Sequence, residues 1–170
     1  MTLQTERLTL RPLRLRDLKT THAYASDPEN TRYMIYLPNR TKRETKQFLK
    51  RVTGEWKKED RLCYEFAITL EGRHIGAVSL HLDETRRKGY MGWILHKAYQ
   101  GRGYATEAAR AVVSFAWDTL GTKKITAFCD FRNQASVRVM EKLGMTLESS
   151  DGTRCYRGSE EAVQELKYST

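Results

Sequence analysis

The sequence has few cysteines, no paired metal-ligand motif and no long apolar run. Cys63, Cys129 and Cys155 lie far apart without a CxxC pair, which argues against a disulfide framework or a zinc site. The histidines also lack metal-ligand spacing. No apolar stretch approaches the roughly 20 residues that crossing a bilayer requires, and the N-terminus lacks a signal-peptide pattern. We therefore expect a cytoplasmic protein without a metal site or a membrane partner.

The composition is typical of one globular domain with an excess of positive charge. A chain of 170 residues can bury a full core, so we predict a single domain over residues 1–170. Thirty lysines and arginines against 21 acidic residues give a net charge of +9. That charge favours an acidic partner or a polyanionic cofactor. No interleaved aromatic residues accompany the basic clusters, so the charge does not indicate a nucleic-acid partner.

Hydrophobic periodicity predicts both strands and helices along the chain. Strands are expected over residues 8–13, 64–70, 75–82, 90–95, 124–131 and 146–149, and from residue 155. Helices are expected over residues 17–26, after a capping box of Thr41 and Glu44, over residues 106–120, and after Asn133 as N-cap. The last helix should turn Ser136, Val139, Met140 and Leu143 to one face. This order indicates a mixed α+β sheet with helices on both faces.

One turn, residues 100–105 (QGRGYA), joins a predicted strand to a predicted helix. The first backbone N–H groups of a helix lack partners and lie at the positive end of its dipole, so they attract anions. Gly101 and Gly103 carry no Cβ and allow close approach to the main chain, and Arg102 adds a positive charge. The turn therefore predicts a phosphate site, although its spacing also suits a plain strand-to-helix connection.

Two common phosphate motifs do not fit this turn. A dinucleotide fingerprint would place a third glycine where Thr106 stands, and it would lie nearer the start of the chain. The nucleoside-triphosphate motif GxxxxGK[ST] is absent.

The spacing Gln100-x-x-Gly103-x-Ala105 resembles the [Q/R]xxGx[G/A] motif of the GNAT acetyltransferases. Four further segments resemble the branch that acetylates ribosomal-protein N-termini (the RimJ/RimL type), and they cover residues 5–13, 91–95, 103–108 and 133–145. The resemblance implies a mostly antiparallel sheet that is splayed between two parallel strands, with helices on both faces. It also implies an N-acetyltransferase that uses acetyl-CoA.

The resemblance assigns the cofactor contacts to the turn, the strand before it and the late helix. The turn amides would bind the pyrophosphate, and Arg102 or Lys97 would meet the remaining phosphate. The main chain of residues 94–96 would pair with the pantetheine arm, with the Leu95 N–H donating to the thioester carbonyl. The implied cofactor-binding residues are Ile94, Leu95, His96, Gln100, Gly101, Arg102, Gly103, Tyr104, Ala105, Thr106, Asn133 and Ser136.

The implied reaction is direct attack of an amine on the thioester in a ternary complex. Ser136 is the candidate acid for the leaving thiolate and Asn133 a candidate contact to the arm, although they can equally serve as packing residue and helix cap. A base or water must take a proton from the amine. The branch often carries a glutamate where this chain has Tyr90, so the base stays open among Tyr90, His81, Glu65 and ordered water. The catalytic candidates are Ser136, Asn133 and Tyr90.

The acceptor class and the assembly state stay open at this level. The resemblance favours the α-amine of a protein N-terminus, and the positive charge of the chain also favours an acidic protein over a polycation. A small-molecule amine is the other acceptor class. Two alternatives are a non-catalytic module that binds acyl-CoA and a basic nucleic-acid-binding protein. The chain is expected as a monomer or a homodimer.

Overall fold

The computed structural model describes residues 1–170 and contains eight strands and four α-helices. The strands are β1 Leu3–Gln4, β2 Leu8–Pro12, β3 Cys63–Leu70, β4 Arg73–Leu82, β5 Lys88–Leu95, β6 Lys124–Asp130, β7 Thr146–Cys155 and β8 Ala162–Ser169. The helices are α1 Leu18–Ala25, α2 Lys42–Glu55, α3 Tyr104–Asp118 and α4 Gln134–Lys142. Short 3₁₀ turns at Leu15–Asp17 and Lys97–Tyr99 precede α1 and α3. None of the helices has the length and apolarity to cross a membrane.

One sheet holds all eight strands in the order β1-β2-β3-β4-β5-β6-β8-β7. Every neighbouring pair is antiparallel except β5 and β6, which run parallel. Their pairing extends only from Lys88 opposite Lys124 to Met91 opposite Ala127. Beyond those residues β5 and β6 separate and leave a gap between their carboxyl ends. The expected sheet, splayed between two parallel strands, is therefore confirmed.

Helices cover both faces of the sheet, as predicted. On one face, α3 and α4 pack over the main core, to which α3 contributes its buried Ala108, Val112 and Ala116. On the other face, Leu49 and Val52 of α2 pack against Ala67 of β3. Because side chains alternate along a strand, Ala67 and its neighbour Phe66 face opposite layers. The sheet therefore carries one large and one small apolar layer.

Three details of the sequence prediction need correction. The tail forms one long strand, β7, with register shifts between Leu147 and Gly152, and then β8. Bulges keep an edge strand continuous through polar residues that look like a turn. The buried positions of α4 are Val137 and Met140, so Ser136 lies beside the apolar face.

The third correction concerns the cap of α2. The Thr41 hydroxyl accepts the Glu44 N–H at 3.3 Å, as expected. The Glu44 carboxylate, however, accepts from the N–H of Arg40 rather than from that of Thr41. It also pairs with Arg157 at 2.8 Å, so this glutamate links α2 to the loop between β7 and β8.

Candidate active site

The turn before α3 presents a row of free backbone N–H groups. Gly101 and Gly103 have φ values of 75° and 81°, a region that favours glycine. The first backbone bond of α3 runs from the Glu107 N–H to the Gly103 oxygen at 3.0 Å. The N–H groups of residues 101–106 donate to no protein acceptor. The turn therefore has the geometry of an anion site at a helix N-terminus.

A clamp from the β1–β2 connection holds this turn in place. The Arg7 guanidinium pairs with the Glu107 carboxylate at 2.6 Å and donates to the Arg102 oxygen at 3.1 Å. It also lies 4.6 Å from the centre of the Tyr104 ring. The Thr5 hydroxyl donates to the other Glu107 oxygen at 2.6 Å. Arg7 lies in the segment of residues 5–13 that resembles the family, but the sequence of that segment does not show which helix Arg7 contacts.

The clamp also sets the charge next to the anion site. Partial burial favours the neutral form of Glu107, but hydrogen bonds from Thr5 and Arg7 outweigh it and hold the pKa of this carboxyl below its ordinary value. Glu107 is therefore a carboxylate in the first turn of α3. Arg7 neutralises it, so its charge does not oppose an anion at the turn.

Of the two cations predicted to meet a phosphate, only Arg102 is free of ion pairs. Lys97 pairs with Asp27 at 2.8 Å and with Glu29 at 3.0 Å, so it links the turn to the loop between α1 and α2. Arg102 is exposed and makes no ion pair. The side-chain amide of Gln100 donates to the Leu95 oxygen at 3.1 Å and fastens the turn to the end of β5.

The gap between β5 and β6 exposes the main chain of only some residues of β5. The Lys88 oxygen accepts the Asp83 N–H, and the His96 N–H donates to the Ile75 oxygen at 2.8 Å. The backbone N–H and C=O groups of the even-numbered residues of β5 therefore face β4. Because backbone groups alternate along a strand, those of Trp93 and Leu95 face the gap.

Two of the predicted main-chain contacts to the cofactor are therefore wrong. Ile94 lies opposite Ala77 in the β4–β5 ladder. Both backbone groups of His96 already have partners, because its N–H donates to Ile75 and its oxygen accepts the Tyr99 N–H. Trp93, which sequence reasoning missed, presents its main chain to the gap beside Leu95.

Asn133 and Ser136 lie at the start of α4, which follows β6 on the other side of the gap. The Asn133 side-chain oxygen accepts the Ser136 N–H at 3.2 Å, so Asn133 caps the helix. The Ser136 side chain is half-buried, and its hydroxyl has no hydrogen-bond partner in the protein. The cofactor and acid roles of these two residues stay predictions.

The three candidate bases lie together on the sheet face covered by α1 and α2. The strand register places Cys63 opposite His81 and His81 opposite Tyr90. The His81 and Tyr90 rings stack with centroids 4.8 Å apart. Glu65 lies one step along on the same face of β3. One side-chain atom each from Cys63, Glu65 and His81 falls within 4.8 Å of the others, so the three side chains form one compact cluster.

Burial sets the protonation of this cluster. It raises the pKa of Glu65 to about 7, with the nearby Arg51 opposing the shift, and lowers the pKa of His81. It also raises the pKa of Tyr90. The phenol therefore stays protonated at neutral pH and can donate a hydrogen bond, which suits a base less well than Glu65 or His81 does, and the catalytic role of Tyr90 stays a prediction. Glu65 and neutral His81 remain able to accept a proton.

Comparison with known proteins gives one consistent family. The model of the acetyltransferase (GNAT) domain matches residues 7–146. The uncharacterized N-acetyltransferase YnaD of Bacillus subtilis is 28% identical over 152 residues, which are 87% of this chain and 84% of YnaD. The spermidine N(1)-acetyltransferase of Escherichia coli K12 is 25% identical over 140 residues, which are 82% of this chain and 73% of that enzyme.

A solved structure shares the complete fold. RimL, a ribosomal L7/L12 α-N-protein acetyltransferase in complex with coenzyme A, aligns with 100% of this chain and 97% of its own, with a TM-score of 0.85 at 18% identity. At that identity the likeness shows the fold alone. Because the family match spans most of the sequence, the protein belongs to the GNAT acetyltransferase family and is an acetyl-CoA-dependent N-acetyltransferase.

Proposed function

We propose that the protein transfers the acetyl group of acetyl-CoA to the α-amine of a protein N-terminus. The row of free N–H groups over residues 101–106 is the observation that supports acetyl-CoA as the acetyl donor. Two left-handed glycines and an unpaired arginine surround this row, which suits a pyrophosphate better than a neutral ligand. The Trp93 main chain and the Leu95 N–H would pair with the pantetheine arm in the gap.

The chemistry proposed for this site is a single attack without an acyl-enzyme. The deprotonated amine attacks the thioester carbonyl carbon, and the Leu95 N–H donates to the oxygen that becomes negative. Collapse of the tetrahedral adduct forms the amide and breaks the carbon–sulfur bond. The unpartnered hydroxyl of Ser136 gives its proton to the thiolate and regains one from the attacking nitrogen. Asn133 holds the first turn of α4 in position.

Two considerations support a protein acceptor over a polyamine. The net charge of +9 repels a polycation and attracts an acidic protein. RimL, which shares the fold, acts on a ribosomal protein by its description. The 25% identical relative acts on spermidine by its name, so a polyamine is the acceptor against which the proposal must be tested.

The test is a thiol-release assay with purified protein and acetyl-CoA. The panel contains peptides with free N-termini and acidic or basic sequences, the same peptides with blocked N-termini, and spermidine. We expect thiol release with free acidic peptides only. Release with spermidine alone would replace the proposed acceptor. Acetyl-CoA binding in calorimetry without release on any amine would indicate a module that binds the cofactor without turnover.

Ser136→Ala tests the acid role. We expect turnover to fall at least tenfold, because the leaving thiolate loses its proton donor, while the affinity for acetyl-CoA stays the same. Ser114→Ala is the matched control, because Ser114 is an exposed serine on α3. An unchanged turnover in Ser136→Ala would remove Ser136 from the mechanism.

A further inference from the structure

Glu65 differs from every other shielded carboxylate of the chain. The aspartates and glutamates that are buried or half-buried all have hydrogen-bond or ion-pair partners, as Asp17 has in Arg11, Asp130 in Arg132 and Glu165 in Arg154. Glu65 is half-buried, and its carboxylate makes neither a hydrogen bond nor an ion pair. Shielding a carboxylate without a partner costs free energy. Proteins keep such an unfavourable carboxylate mainly where it takes part in binding or catalysis.

We propose that Glu65 takes the proton from the acceptor amine, an assignment that rests on the proposed acetyltransfer. The protonated amine then approaches from the α1–α2 face of the sheet, on which Glu65 lies. Tyr90, which is 52% exposed, lies on that face, and Tyr36, which is 84% exposed, lies near enough to Tyr90 to contribute to its raised pKa. Aromatic faces attract an ammonium group, so these rings suit a protonated amine.

The strand register connects Glu65 to the gap where the thioester would lie. Glu65 lies opposite Ser79, and Ser79 lies opposite Gly92, the residue next to Trp93. Two strand spacings separate β3 from β5, roughly 10 Å. The carboxylate spans part of that distance, and the Ser79 hydroxyl, which lies 3.5 Å from the Gly92 oxygen, stands between them. The proposed route requires ordered water beside Ser79 to carry the proton over the remaining distance.

The groups around Glu65 keep it ready to accept a proton at neutral pH. Arg51 of α2 is the cation that faces it, and it lies too far for an ion pair. Tyr24 of α1, Cys63 of β3 and Tyr90 of β5 face it as neutral groups with raised pKa values. His81 of β4 has a lowered pKa and is neutral as well. No positive charge therefore competes with the amine for the carboxylate at contact distance.

The proposed step balances without any further reactant. The acceptor enters as R–NH₃⁺, and one proton passes to the Glu65 carboxylate, which leaves R–NH₂ and a neutral acid. The nitrogen lone pair forms the new carbon–nitrogen bond, and the carbon–sulfur bond breaks when the tetrahedral adduct collapses. The second proton of the nitrogen ends on the thiol of coenzyme A. Glu65 then releases its proton to solvent, and one proton leaves per amide formed.

The test measures kcat/KM against pH for the wild type, Glu65→Gln and Glu65→Asp, with a synthetic acidic peptide as acceptor and with spermidine in a parallel series. Glu84→Gln, an exposed glutamate in the β4–β5 loop, is the control. We expect Glu65→Gln to lower kcat/KM about 100-fold or more at pH 7. The fall in kcat/KM below about pH 7 that the wild type shows should be absent in Glu65→Gln. Glu65→Asp should recover part of the rate, and acetyl-CoA affinity should not change.

Three outcomes would overturn the assignment. If the wild type is active and Glu65→Gln has the same rate and pH profile, Glu65 is not the base, while the proposed function stands. A loss of rate that accompanies an equal loss of acetyl-CoA affinity shows that Glu65 supports the fold. A wild type that acetylates neither the peptide nor spermidine shows that the proposed function has failed, and the assignment fails with it.

Discussion

Replacing Glu65 by glutamine should stabilise the protein, and the gain should depend on pH. The carboxyl has no partner, and burial raises its pKa from an ordinary 4.5 to about 7. In the unfolded chain the carboxyl loses its proton near pH 4.5, whereas the native state holds it up to about pH 7. Native stability therefore falls as pH rises through this interval, because the native state binds more protons than the unfolded state.

The size of this penalty follows from the two pKa values. Each pKa unit corresponds to 1.36 kcal/mol, so a rise from 4.5 to about 7 costs about 3 kcal/mol above pH 8. Glu65 is only half-buried, so this figure is a ceiling and we expect a gain of about 1–3 kcal/mol. At pH 4 the carboxyl is protonated in both states, and glutamine should change little.

Urea unfolding at half-unit steps from pH 4 to 8.5 measures the effect. The quantity of interest is the difference in unfolding free energy between Glu65→Gln and the wild type at each pH. Titrating groups far from Glu65 contribute equally in both proteins and cancel in that difference. A difference that is zero or constant over the whole range would refute the reasoning, because it would show that Glu65 has an ordinary pKa.

Two further predictions concern the turn before α3. Gly103→Asp should weaken acetyl-CoA binding about tenfold or more, because it places a carboxylate among the free N–H groups, and about 1.4 kcal/mol corresponds to a factor of ten; calorimetry measures the affinity. Arg7→Ala should weaken it by roughly threefold to tenfold, because the charge of Glu107 then opposes the anion; competition with a fluorescent coenzyme A analogue measures it.

Each of these predictions has a matched control. Gly121→Asp places the same side chain at the other end of α3, at a φ of 71° close to the 81° of Gly103, so it reproduces the backbone strain without the anion. Equal affinities in the two aspartate variants would contradict the role of the turn. Glu107→Gln combined with Arg7→Ala should recover part of the affinity. No recovery would show that Arg7 acts on the loop and not through charge.

Local sequence signals were enough to predict the free N–H groups of the turn before α3. A strand, a turn with two glycines and a helix lie within one short segment, and the N–H groups of the turn depend only on that segment. The Asn133 cap was predictable for the same reason. The clamp was not, because Arg7 and Glu107 are 100 residues apart and only the three-dimensional structure brings them together.

The common face of Glu65, His81 and Tyr90 could not be predicted without the strand register. Glu65, His81 and Tyr90 were named as separate candidates, but their common face follows from which residue lies opposite which. The same limit explains the errors at Ile94 and His96, because a shift of one residue decides whether a backbone group faces β4 or the gap. The β7 strand was divided because its bulges place polar residues inside a strand.

A crystal structure with bound acetyl-CoA tests the central claim most directly. We predict pyrophosphate oxygens within about 3 Å of several backbone nitrogens of residues 101–106, with the pantetheine arm in the gap beside Trp93 and Leu95. A cofactor whose pyrophosphate lies elsewhere, with these N–H groups bound only to water, would contradict the account.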